Sequence, residues 1–249
     1  MKTKAIALCL TLLLVEVVSS SPAWALKRRA GPTYHAKFVT ALTPFYILSN
    51  TVSKDQAKGG TFTYQSRIYA GLGGEFSYQL SPTFTAYSLI KIAYIDGAPI
   101  TSSTKTLTQD TTILSTFQVG AAARLFFENL FKLYFGLNQE IFIYSPNNTQ
   151  ITQQGLYIPT IGLSAGWDTI HFPDFGIRLS ALGEIKLGTT TDLFTVQAGF
   201  VYGGELTLIT YAGSRENVTI TIGTRVRPQN TSAADQTETS YYLSGRIPI

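Results

Sequence analysis

The chain has 249 residues and a formal net charge of +4, and only 14 % of its residues are charged. That charged fraction is low against the ~25 % of an ordinary soluble domain, and the positive balance is too small to indicate a nucleic-acid partner. The single cysteine, Cys9, lies near the N-terminus, which excludes a disulfide framework and thiol chemistry for the remainder of the chain.

Residues 1–25 have the pattern of a secretory signal peptide. Lysines near the start precede an apolar run over residues 5–18, and an A-x-A cleavage site ends at Ala25. The run is shorter than the ~20 apolar residues that a membrane-spanning helix needs. We therefore predict that this segment directs export and is then removed.

Beyond this segment, apolar residues recur at every second position, which is the period of a β-strand. We call each set of alternate positions that carries apolar residues an apolar phase. Gln139 interrupts one apolar phase, which predicts a bulge there. Another apolar phase begins at Val196. In residues 61–80 the apolar phase holds Phe62, Tyr64, Leu72, Phe76 and Tyr78. The later phases run over 84–94, 113–127, 131–143, 157–167, 177–187, 196–206, 218–226 and 241–249, with a weaker segment at 37–48.

The charged residues of these segments lie on the phase opposite to the apolar one. A lysine or arginine that faces lipid near the bilayer midplane costs ~2–4 kcal/mol, whereas a polar interior accommodates charges of both signs. The pattern therefore predicts an all-β fold, a closed antiparallel up-and-down transmembrane β-barrel of about ten strands (eight to twelve). The side chains predicted to line its lumen are Arg67, Glu75, Lys91, Arg124, Glu128, Lys132, Glu140, Arg178, Glu184, Lys186, Glu205, Arg225 and Arg246.

A soluble β-sandwich also alternates apolar and polar residues, but two features favour the barrel. Aromatic residues such as Phe76, Trp167 and Tyr241 lie near segment ends, as in the girdles of membrane interfaces. The connections also alternate in length, as in outer-membrane barrels with short periplasmic turns and longer outer loops. The short connections fall at 81–83, 129 and 173–174, and the longer polar ones at 96–111, 145–154 and 228–239.

Two stretches resemble small Gram-negative outer-membrane β-barrel proteins of the porin-like superfamily. Residues 71–84 resemble their hairpins, and residues 241–249 resemble their C-terminal insertion signal, with Ile249 where that family usually has Phe or Trp. The resemblance implies a location in the cell outer membrane, contact with its lipid, and recognition of the last strand by the barrel assembly machinery. It implies a periplasmic N-terminal segment over 26–34 and a barrel domain over 35–249.

Some barrels of this kind are enzymes. Proteases of the omptin type resemble this chain in strand number, and they use an Asp pair and an Asp–His pair at the outer rim. The only histidines here, His35 and His171, fall near predicted periplasmic ends, so general-base chemistry is poorly supplied. They also lack the spacing of metal ligands. We therefore predict a protein without catalytic, cofactor or metal sites.

The predicted strand number leaves two states of the interior open. A barrel of eight strands is just filled by side chains and one of ~16 leaves an aqueous channel, and ten lies near the filled end. The sequence therefore predicts a monomer with a structural or surface-interaction role, or a narrow solute or ion channel lined by the lumen charges. The alternative is an adhesin or receptor that uses the polar stretches 96–111 and 228–239.

Overall fold

The computed structural model describes residues 37–55, 61–65, 69–81, 83–95, 99–102, 106–108, 112–125, 129–147, 150–212 and 215–249. The predicted signal peptide and N-terminal segment lie outside these residues, as do His35, Arg67 and Glu128. Among the described residues, no helix is long and apolar enough to cross a membrane. The strands are β1 (Lys37–Asp55), β2 (Thr61–Gln65), β3 (Tyr69–Gln79), β4 (Phe84–Ile95), β5 (Pro99–Ser102), β6 (Thr106–Thr108), β7 (Thr112–Leu125), β8 (Asn129–Asn147), β9 (Gln150–His171), β10 (Phe175–Lys186), β11 (Thr189–Thr190), β12 (Thr195–Val196), β13 (Gly199–Ala212), β14 (Arg215–Pro228) and β15 (Ala234–Pro248).

Ten of these strands form a closed antiparallel barrel. Their order around it is β1, β3, β4, β7, β8, β9, β10, β13, β14 and β15, so strands that follow one another along the chain pair with one another. The last strand then pairs with the first, from Ala41 opposite Pro248 to Asp55 opposite Ala234. The predicted fold class and strand number are therefore confirmed. β2, β5 and β6 extend the sheet beyond β1.

The two ends of the barrel differ. At the turn end, the strands are joined by short connections such as 172–174, closed by a 2.7 Å hydrogen bond from Phe172 N to Phe175 O. At the opposite loop end, two of the predicted long connections are wrong. β8 and β9 continue through 145–154 to within two residues of each other, and β14 and β15 shorten the predicted loop at 228–239 to residues 229–233.

The outward face of the barrel is apolar. Along β9, Tyr157, Ile161 and Trp167 all point outward and are about half exposed. The ten residue-to-residue steps from Tyr157 to Trp167, at ~3.3 Å each and tilted by ~40°, cover a height of ~25 Å, which matches the apolar band of outer-membrane barrels. Other large apolar side chains exposed on the barrel include Phe38, Leu42, Leu72, Phe76, Ile90, Ile92, Leu133, Phe135, Phe200, Ile220, Ile222 and Leu243.

Gln139 does not mark a bulge, so this prediction is wrong. The β8–β9 register is regular around it, with Gln139 opposite Tyr157. Its side-chain Oε1 accepts hydrogen bonds from the backbone N of Ser115 at 3.1 Å and from the Ser115 hydroxyl at 3.2 Å. The same hydroxyl lies 2.7 Å from the Tyr157 hydroxyl. A polar residue is tolerated in the apolar phase because the adjacent strands satisfy its carbonyl.

Two irregularities in register lie near the turn end, between Ile177 and Arg178 and between Ile209 and Tyr211. At the second, Tyr211 lies opposite Glu216 while Ile209 lies opposite Thr219, so β14 contains an extra residue. A bulge of this kind reverses the face to which the following side chains point. It turns Glu216 inward, although strict alternation with the apolar residues of β14 would place it outside.

Inside the barrel, aromatic rings lie against glycines that face them on the paired strand. A Cβ atom added to any of these glycines would collide with the ring. Only glycine leaves room for this close approach, which explains why the inward phase is rich in glycine. The directly opposed pairs are Phe45 with Gly71, Tyr134 with Gly162, and Tyr242 with Gly223.

Gly162→Ala is expected to destabilise the barrel by ~1–3 kcal/mol, because the Tyr134 ring has to move to accept the methyl group. Gly74→Ala is the matched control, since the nearest side-chain atom, on Phe76, is 3.8 Å from the added carbon. Urea unfolding of the refolded protein in lipid vesicles measures both changes. Equal midpoints for the two variants would contradict the packing described for Tyr134.

Candidate functional site in the barrel interior

Near the turn end, four ionised side chains form a cluster, here called the turn-end cluster (Arg124, Asp168, Arg178 and Glu216). Arg178 makes a two-pronged contact with Asp168, from Nε to Oδ1 at 2.5 Å and from Nη2 to Oδ2 at 3.0 Å. The same guanidinium reaches Glu216 at 2.6 Å, and Arg124 also pairs with Glu216. Two guanidinium groups thus face two carboxylates, and the cluster is formally neutral.

Toward the loop end, a second group is the loop-end cluster (Glu140, Lys186, Arg227 and Glu238). The ammonium of Lys186 lies 2.6 Å from Glu140 Oε2, and both side chains are fully buried. Arg227 bridges the two carboxylates, with Nε 3.4 Å from Glu140 and Nη1 3.0 Å from Glu238. Gln229 adds a 3.0 Å hydrogen bond from Nε2 to Glu140. Glu140 is therefore the shared partner of three groups.

Between the clusters, further carboxylates are held by tyrosines and arginines. The Tyr134 hydroxyl donates to Glu184 at 2.5 Å, and Arg225 lies 3.4 Å from the same carboxylate. The Tyr242 hydroxyl donates to Glu205. Elsewhere in the interior, Arg246 pairs with Glu75 at 2.9 Å.

A cap covers the loop end on the side of β8 to β15. It consists of residues 189–196, which include the short β11–β12 hairpin, and residues 229–233. The two parts are joined by a bridge between Val196 and Thr231 and by a 2.9 Å hydrogen bond from Ser232 N to Thr195 O. Phe194 and Val196 turn inward and pack with two inward residues of β8 and β9, Phe142 and Ile158. The interior is therefore filled directly beneath the cap.

The prediction that Val196 faces outward in the phase of Phe200 and Tyr202 is wrong. Val196 is fully buried, whereas the other two side chains are about half exposed. The reason is that β12 ends at Val196 and β13 begins at Gly199, so the two apolar stretches belong to different sheets.

A cavity of about 910 Å³ remains in the interior, and residues of all ten barrel strands line it. Its lining extends along the inner wall from Lys37 and Pro248 near the turn end to Thr51 and Glu238 toward the loop end. An apolar contact of Phe45 with Ala93, flanked by other aliphatic side chains, lies along its wall. We call this cavity the passage.

The structure places eleven of the thirteen side chains predicted to line the lumen, since Arg67 and Glu128 are outside the residues it describes. Glu184 and Lys186 are fully buried and do not line the passage, whereas the other nine do. Those nine are Glu75, Lys91, Arg124, Lys132, Glu140, Arg178, Glu205, Arg225 and Arg246.

Several residues of the interior were not among those predicted to line it. Alternation alone does not identify Glu216 as an inward residue, because the bulge in β14 reverses the side to which it points. Glu238 and Gln229 were hidden because 228–239 was predicted to be an exposed loop. Tyr134 and Tyr242 carry hydroxyl groups that donate hydrogen bonds to carboxylates. Their positions opposite the apolar phase were the sequence signal that could have placed them inside the barrel.

His171 lies at the turn end, with its ring centroid 4.9 Å from that of Tyr211. It ends β9 and lines the passage near the turn-end cluster. Across the part of the chain that the structure describes, no group of three or more His, Cys, Asp or Glu side chains is arranged to hold a metal ion.

Comparison with known proteins identifies the fold. No protein-family profile and no curated protein matches the chain. The outer membrane protease OmpT from Escherichia coli is similar in structure, with a TM-score of 0.54 at 9 % identity over 87 % of this chain and 99 % of that one. The chain therefore has the fold of outer-membrane β-barrel proteins, and at this identity the likeness shows the fold alone.

Two further solved structures align with the chain at lower TM-scores. An outer membrane channel from Pseudomonas putida F1 has a TM-score of 0.47 at 10 % identity, covering 89 % of this chain and 100 % of that one. The translocator domain of autotransporter NalP from Neisseria meningitidis has a TM-score of 0.40 at 10 % identity, covering 98 % and 96 %.

Proposed function

We propose that this chain is a monomeric, non-enzymatic protein of the bacterial outer membrane that lets small ions and solutes through its narrow passage. The outward apolar band meets lipid, and the C-terminal strand β15 is the segment presented to the barrel assembly machinery. The passage supports a channel role because its lining continues along the wall from Lys37 to Thr51. Polar and charged side chains that line a pore of this kind replace part of the hydration of a solute.

The side chains that fill part of the interior limit the size of the solutes that can pass. The loop-end cluster and the cap occupy part of the interior toward the loop end, so only a cavity of about 910 Å³ remains. Barrels close to eight strands leave little space inside. We therefore expect small, low-conductance steps rather than the large steps of a wide porin.

The structure provides less support for the alternative role as an adhesin or receptor, because several residues of one of the two predicted contact surfaces are buried. The stretch 228–239 was expected to be an exposed contact loop, but Gln229, Thr231 and Gln236 are buried. Gln236 Nε2 donates to Ile141 O at 2.8 Å, which ties this stretch to β8. A tightly packed connection of this kind presents few side chains to a partner.

Conductance of the refolded barrel in planar lipid bilayers tests the channel. We expect small stepwise currents from the wild type and a severalfold smaller step from Thr116→Trp, because Thr116 lines the passage and tryptophan narrows it. Val119→Trp is the control on the same strand, since Val119 points outward. A silent wild type over a range of salt concentrations would leave only a structural role.

A further inference from the structure

We propose that the passage prefers small anions to cations. The inference rests on the proposed channel and adds the charge class of the solute that it carries. The anion preference follows from a comparison of the interior charges that have a partner of opposite sign with those that do not.

Most charges inside the barrel cancel locally. The turn-end and loop-end clusters each combine two cations with two carboxylates. Glu75 pairs with Arg246, and Glu184 with Arg225. A neutralised pair exerts little force on an ion several ångströms away, because the two contributions oppose each other.

Lys91 and Lys132 are different. Both line the passage, on β4 and β8, and among the residues that the structure describes neither has a carboxylate at ion-pair distance. Instead, the Lys91 ammonium lies 5.5 Å from the centroid of the Phe45 ring, and the Lys132 ammonium lies 6.0 Å from that of Tyr87. An aromatic face attracts an ammonium group without removing its charge.

One carboxylate of the passage also has no cation at ion-pair distance within the described part of the chain. Glu205 accepts a hydrogen bond from the Tyr242 hydroxyl, and it offsets part of the excess positive charge. Lys37 adds a further cation where the lining begins at the turn end. The balance along the passage therefore remains positive.

The expected size of the effect follows from Coulomb's law. One positive charge at ~8 Å in water raises the local anion concentration about two- to threefold and lowers the cation concentration by the same factor. The wild-type ratio of chloride to potassium permeability should therefore exceed about threefold at low salt, and it should fall as salt screens the charges.

The reversal potential under a KCl gradient across a planar bilayer tests this inference. We expect Lys91→Gln and Lys132→Gln each to lower the permeability ratio by about two- to fivefold, and the double variant to bring it close to one. Lys54→Gln is the matched control, because this exposed lysine of β1 does not line the passage. Its ratio should equal that of the wild type.

The outcomes separate the two proposals. A wild type without current overturns the channel, and with it the selectivity. Current with a wild-type ratio at or below one overturns the anion preference alone, and a wild-type ratio in the double variant overturns its assignment to these lysines. If Lys91→Gln does not refold, Lys132→Glu provides the test, since Lys132 is exposed inside the barrel. This reversal changes the charge of the passage by as much as the double variant does and should likewise bring the ratio close to one, whereas a wild-type ratio would overturn the assignment.

Discussion

Glu140→Gln is expected to lower the free energy of unfolding by ~3–5 kcal/mol, because a buried cation that loses its partner is left uncompensated. Glu140 pairs with Lys186 at 2.6 Å and with Arg227 at 3.4 Å. Without the carboxylate, the Lys186 ammonium keeps the backbone oxygen of Pro228, 3.1 Å away, and the face of the Phe142 ring, whose centroid is 5.9 Å away. Arg227 still has Glu238. Urea unfolding in lipid vesicles measures the loss. The folded fraction is read from the different mobility of folded and unfolded protein on SDS gels of unheated samples.

The relative losses of unfolding free energy in a set of variants test whether Glu140 is the central residue of the loop-end cluster. Lys186→Met should cost less than Glu140→Gln, because Glu140 keeps Arg227 and Gln229 when the lysine is gone. The double variant should recover part of the loss, as removing both members of a buried pair often does. Glu75→Gln is the control from a more exposed pair and should cost at most ~1 kcal/mol. Equal losses at Glu140 and Glu75 would contradict this arrangement.

Ile161→Arg is expected to destabilise the barrel by ~2–4 kcal/mol, because the guanidinium is forced into the centre of the hydrocarbon layer. Ile161 points outward on β9 between Tyr157 and Trp167, which lie near the two edges of the apolar band. The free energy of unfolding in vesicles of defined thickness measures this cost.

Ile170→Arg is the depth control for that experiment. Ile170 is also exposed on β9, but it lies at the turn end, one residue before His171. Arginine near the interface costs only ~0–1 kcal/mol, because its side chain reaches water. A similar loss at both positions would mean that the band between Tyr157 and Trp167 does not match the bilayer.

The sequence was sufficient to predict the barrel because its rule is local. A strand that meets lipid on one side and an enclosed space on the other must alternate, and the β9 residues Tyr157, Ile161 and Trp167 follow that rule. The same rule assigned Lys91 and Lys132 to the inner face. It required no knowledge of which strands pair or how they are staggered.

The partners of the inner charges could not be predicted in this way. Lys186 and Glu140 lie 46 positions apart, and they meet because the stagger of strands around the barrel brings them to one height. Alternation predicts whether a side chain points inward or outward, but it does not predict the position of that side chain along the barrel axis. Glu216 was missed because a bulge turns it inward, and the prediction for Val196 failed because the cap buries that side chain.

Accessibility of two neighbouring positions on β8 tests the central claim most directly. Leu133 is exposed on the outer face and Lys132 on the inner one. Spin labels at single cysteines, in a Cys9→Ser background reconstituted in vesicles, report contact with lipid-soluble oxygen and with a water-soluble nickel complex. We expect oxygen to relax the label at 133 and nickel to relax the label at 132. The reverse pattern, or a label at 133 in contact with water, would contradict a barrel whose apolar face meets lipid.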